Sequence, residues 1–138
     1  MTNLEQLIYT KGLENLYGSI ILGEDPLNSI ENLVYLTREL AVPSQTKRTV
    51  SAECSFITRI CSACWPDLNL TIQADPPELD LVRVDRFSIA TPVCDAVSQV
   101  ERRGQKPDLI LLRQDGDIIR FHVEEHGQEI IEGELSND

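Results

Sequence analysis

Three of the chain's four cysteines, Cys54, Cys61 and Cys64, fall within the stretch CSFITRICSAC, and the last two form a C-x-x-C. Thiols at such spacing do chemistry in two ways, as zinc ligands or as a redox pair. Zinc holds its sulfurs at about 2.3 Å, so they lie within roughly 4 Å of one another. Val50, Cys54, Ile57, Cys61 and Cys64 recur at the spacing of one helical face. On a continuous helix Cys54 stands about 10 Å along the axis from Cys61 and cannot share its ion. Cys61, Cys64 and Cys94, with His122 or His126 as fourth ligand, could do so only if folding gathers them. A redox pair wants a helix N-terminus, where the dipole favours thiolate. Pro66 limits the far end of this helix, so the C-x-x-C closes it and meets the opposing pole. Free cysteines are also among the most buried residue types. The expectation is therefore packed thiols, with neither a metal nor a cofactor.

His122, Glu124 and His126 share one strand parity, with Glu132 opposite as a further donor. Neighbours two apart on a strand can share an ion, but the outer two lie about 13 Å apart. A solvated polar face with cross-strand pairs accounts for the same residues. Pro107-Asp108, a hairpin and Glu124 superficially resemble the PD-(D/E)-x-K nucleases over residues 107–126. That family needs an acid two residues before a lysine, whereas this strand reads HVEEH and no lysine follows Pro107. Without that cation the transition-state charge would go unstabilised. No dinucleotide, Walker or nucleophile-elbow motif is present. No catalytic residue is assigned.

Charge says more. The net −11 is carried as −4 over residues 1–44, zero over 45–114 and −7 over the last 24 residues. Such a field repels nucleic-acid phosphates and anionic membranes and attracts basic protein surfaces. The expected function is a non-catalytic acidic binding module, an adaptor, inhibitor or immunity-type factor, that engages a basic protein surface. Glu124, Glu125, Glu129, Glu132 and Glu134 are its expected contacts, as charge-assisted acceptors for Arg or Lys. Two other readings compete with it. One is a metal-dependent enzyme or metalloprotein using Asp108, His122 and Glu124, or the Cys61–Cys64 pair; the other is a scaffold subunit of an assembly.

These residues need elements to place them. At 138 residues and 41% hydrophobic content, one globular domain is expected, helical over 1–65 and sheet-containing over 66–138. Thr2 begins a capping box, and a change of apolar phase at Gly12 predicts a break or kink before a second helix ending near Leu22. Asp25-Pro26 opens a helix whose stripe runs Leu27, Ile30, Leu33, Val34, Leu40, Ala41 and ends before Pro43. Ser44 is the expected cap of the cysteine helix. Leu68–Gln73 alternates as a strand, LDLVRV (79–84) leans to strand, and a helix starts at Thr91-Pro92 and closes at Gly104. Asp115-Gly116 marks a hairpin that sets Leu112 opposite Ile119 and Ile110 opposite Phe121. Keeping Glu132 off the apolar face pairs Arg120 with Glu134 and His122 with Glu132, through a three-residue loop at 126–128. LILL, apolar on both faces, is the central strand, beside 68–73. The fold class expected is α+β: N-terminal helices, then a small, mainly antiparallel sheet with a C-terminal three-strand meander and a helix packed on it. Absence of a basic, apolar leader and of long apolar runs leads to a cytoplasmic, soluble expectation, with no membrane role.

Overall fold

Thr2 accepts the Glu5 N–H at 3.1 Å and opens α1 (Asn3–Leu7). In the computed structural model, residues 2–41 and 46–135 are described. The chain does not break at Gly12. A π turn, Ile8–Gly12, joins α1 to α2 (Leu13–Ile21), and Gly12 itself keeps helical dihedrals, φ −64° and ψ −46°. The extra residue of a π turn rotates the next helical segment by about 100°. That rotation brings Leu13 and Ile20, which an unbroken helix would set opposite Leu4 and Ile8, only partway toward the buried face, and they stay exposed while Leu4 and Ile8 are buried.

Asp25 accepts the Leu27 N–H at 3.1 Å and starts α3 (Leu27–Ala41). The expected stripe on α3 divides. Leu36 is fully buried and Leu33 and Leu40 pack against the core, but Leu27, Ile30 and Val34 are exposed. Pro43 and Ser44 lie outside the described residues. The cysteine helix, α4 (Val50–Cys64), is capped by Thr49, which accepts the Ala52 N–H at 3.2 Å, and comes after a short strand, β1 (Lys47–Thr49).

Leu68 N–H bonds to Trp65 O in a turn, which delays the expected strand: β2 is Thr71–Asp75. The segment 79–84 is not one strand. Pro77–Leu81 forms a 3₁₀ turn, and β3 (Arg83–Asp85) then pairs antiparallel with β1, away from the main sheet. α5 (Ala90–Arg102) buries Val93, Ala96, Val97 and Val100 and stops near Gly104 at φ +79°. It packs between α4 and the strands β5 (Ile118–Glu125) and β6 (Gln128–Leu135).

The main sheet has the order β2-β4-β5-β6, with β4 (Leu109–Asp115) central. β2 runs parallel to β4, and β4, β5 and β6 form the antiparallel meander. The fold is thus α+β, as the sequence predicts. Both hairpins correct the expected details. Gly116 adopts φ +64° and takes the first turn position, so Leu112 pairs with Phe121 and Ile110 with Val123. Inward parity survives because the register moved by two. At the second hairpin His126 (φ +53°) and Gly127 (φ +81°) form a two-residue turn, pairing Glu124 with Glu129. A bulge between that pair and Val123–Ile131 then shifts the ladder, and His122 meets Glu132 and Arg120 meets Glu134 as expected. The tight turn and the solvated carboxylates are both satisfied, at the cost of one bulged residue, Ile130.

A buried charge locks the layers together. Glu53 has no exposed surface; it accepts from Arg48 at 2.6 and 2.7 Å and from the N–H groups of Phe87, Ile89 and Ala90 at 3.1 to 3.3 Å. Arg48 also pairs with Glu39 of α3 at 3.1 Å. One carboxylate therefore stitches β1 to the start of α5, where the helix dipole favours its charge. Nothing in its sequence context marked Glu53 as an interior residue.

Candidate functional site

The thiols sit where packing puts them. Cys61, Cys64 and Cys94 are buried and Cys54 is half-buried at the edge of the stripe. Burial pushes the Cys61 and Cys64 thiols up to about 12, and at Cys64 it outweighs the opposing pull of Lys11. Neither is a nucleophile at neutral pH.

On the outer face of the meander, the bulge sets the expected contact residues unevenly. Glu129, Glu132 and Glu134 are exposed, and Glu124 and Glu125 are half-buried. Glu134 pairs with Arg120 at 3.2 Å, and the Glu125 carboxylate accepts the Lys106 N–H at 3.3 Å. His122 Nδ1 contacts Glu129 Oε1 and lies 3.7 Å from Glu132 Oε2. Among the described residues, His122, Glu129 and Glu132 are the group that brings three metal-ligating atoms within 4.8 Å of one another. Asp108 is not part of it. Its carboxylate accepts the His126 N–H at 3.2 and 3.3 Å and braces the turn, where His126 leaves the strand parity of His122.

The surface that sequence reasoning missed is on the N-terminal helices. Among the described residues, eight of the ten exposed large apolar side chains belong to residues 13–34, so this region, not the sheet, carries the unsatisfied apolar area. On α2, Leu13, Tyr17, Ile20 and Ile21 are 52 to 66% exposed at one-face spacing, and on α3 Leu27, Ile30 and Val34 are 42 to 55% exposed. Each helix is tied to α4 by polar contacts instead. Asn15 Nδ2 donates to the Ala63 and Cys64 carbonyls at 2.8 and 3.0 Å, and Asn32 Nδ2 to the Arg59 carbonyl at 2.9 Å. A cleft of about 360 Å³ with a mixed lining, including Asn15, Leu16, Asn32, Leu33 and Arg59, lies where α2, α3 and α4 meet. In the same stretch Glu14, Glu24, Asp25 and Glu31 are exposed, and no Lys or Arg occurs in the sequence between Lys11 and Arg38, although Arg59 of α4 lines the cleft beside Glu31. The available signal was the phase change at Gly12, which dictates that α1 and α2 cannot bury the same face.

No helix among the described residues is long and apolar enough to cross a membrane. No family model, curated protein or solved structure matches this chain.

Proposed function

We propose that the chain is a non-catalytic protein-binding module whose main docking surface is the outward face of α2 and α3. Its partner is a basic amphipathic helical segment. The observation that carries this reading is the set of exposed apolar side chains Leu13, Tyr17, Ile20, Leu27, Ile30 and Val34, in a stretch that also holds four exposed carboxylates and no Lys or Arg between Lys11 and Arg38. An apolar helix stripe supplies the burial, and flanking Lys or Arg on the partner meets Glu14, Glu24, Asp25 and Glu31. A second copy of this chain fits the apolar area but not the charge, since it brings four more carboxylates to the same face. Glu124, Glu125, Glu129, Glu132 and Glu134 extend the negative field and speed encounter with the same basic partner.

Calorimetric titration with a cationic amphipathic helical peptide tests the reading, beside a charge-reversed peptide of equal hydrophobicity. One-to-one binding of the cationic peptide alone is expected, weakened at least tenfold (about 1.4 kcal/mol) by Ile20→Asp or Val34→Asp. Equal binding of both peptides, or a dimer in light scattering that those variants dissolve, overturns it.

A further inference from the structure

We propose that His122, Glu129 and Glu132 bind a divalent transition-metal cation of the zinc class, at a site on β5 and β6 that shares no residue with the helical docking face. The bulge creates the site. An unbroken ladder continuing from the two-residue turn would put Val123 against Ile130 and turn Glu132 toward the core. With Ile130 bulged, Glu132 returns to the outer face directly across from His122, while Glu129 stays across from Glu124. Two carboxylates from β6 thus converge on one imidazole of β5, their oxygens and Nδ1 all within 4.8 Å.

The donor set selects the ion. Nitrogen with two carboxylate oxygens suits zinc, copper or nickel, whereas magnesium and calcium prefer oxygen alone. Bonds of about 2.0–2.2 Å to a shared ion require only rotation of the glutamate side chains, which are about half exposed, 47 and 56%. The imidazole, 17% exposed, is the fixed member. A water molecule would complete the coordination.

The surroundings are predominantly acidic. Glu124 and Glu129 are directly opposed across the ladder, a like-charge pair that a bound cation would relieve, with Arg103 lining the cleft on the far side of Glu129. Arg120, the one guanidinium on that strand, is already held by Asp115 at 3.6 Å and Glu134 at 3.2 Å. His126 cannot serve in its place, because it sits in the turn 3.6 Å from Asp108.

The test is titration of chelator-treated protein with zinc, and with cobalt(II) as a spectroscopic probe. One equivalent of zinc should bind and raise the thermal midpoint. His122→Ala should cost at least the roughly tenfold that loss of an outer-sphere partner costs. Glu132→Gln should weaken binding, and His126→Ala should leave it unchanged. The cobalt complex should lack a thiolate charge-transfer band. No stoichiometric uptake, undiminished uptake in His122→Ala, or a thiolate band from Cys61 and Cys64 would overturn the assignment. Peptide binding at α2 and α3 is a separate readout, so failure here leaves the proposed function standing.

Discussion

The Cδ2 atom of Leu33 lies 2.7 Å from where a Cβ on Gly12 would stand. This close approach seats α3 against the π turn, beyond which the chain passes from Leu4 and Ile8 in the core to Leu13, Tyr17 and Ile20 outside it. The glycine is needed for proximity, not for unusual dihedrals. Gly12→Val should therefore lower stability by about 1–3 kcal/mol through overpacking. Urea unfolding should register this as a lower midpoint at unchanged slope.

Removing the Glu53 charge should be the most damaging conservative change. Glu53→Gln keeps one acceptor oxygen but turns an amide donor toward either the Ile89 and Ala90 N–H groups or Arg48, and removes the negative charge that Arg48 pairs with. A loss of about 3–5 kcal/mol is expected. Glu14→Gln, an exposed change, should shift the same unfolding curve by less than about 0.5 kcal/mol.

Alkaline pH should destabilise the fold through its thiols. Burial raises Cys61 from 9.0 to about 12, so between those values the unfolded chain has released a proton that the folded chain retains. The unfolded state then binds fewer protons, and stability falls as pH rises through that window. Below 9.0 the contribution is fully present. Other groups titrate there too, so the informative measurement is the difference between wild type and Cys61→Ala, whose decline should be shallower.

Charge on the tail should govern rate more than affinity. Replacing Glu124, Glu125 and Glu134 with glutamine should slow association with a cationic partner peptide and flatten its salt dependence. Dissociation should change little. Stopped-flow measurements across ionic strength separate the two.

Much of this molecule could be read from its residues. The α+β class, the central LILL strand, the meander and the Arg120–Glu134 and His122–Glu132 pairs arise from alternation, turn chemistry and avoidance of buried carboxylates. The features that escaped were set by long-range geometry. Glu53 is interior only because Arg48 and three N–H groups arrive from elsewhere in the chain. Ile130 bulges because a two-residue turn and a charge-driven register demand different pairings. An apolar stripe on α2 looks the same whether it faces a core or solvent, so only the phase change at Gly12, not Tyr17 or Ile20 themselves, pointed to exposure.

Mapping amide chemical-shift changes on adding a cationic amphipathic peptide tests the docking face most directly. Saturable shifts confined to α2 and α3, and abolished by Ile20→Asp, are predicted. Saturable shifts confined to β5 and β6, or no saturable response, would contradict the account.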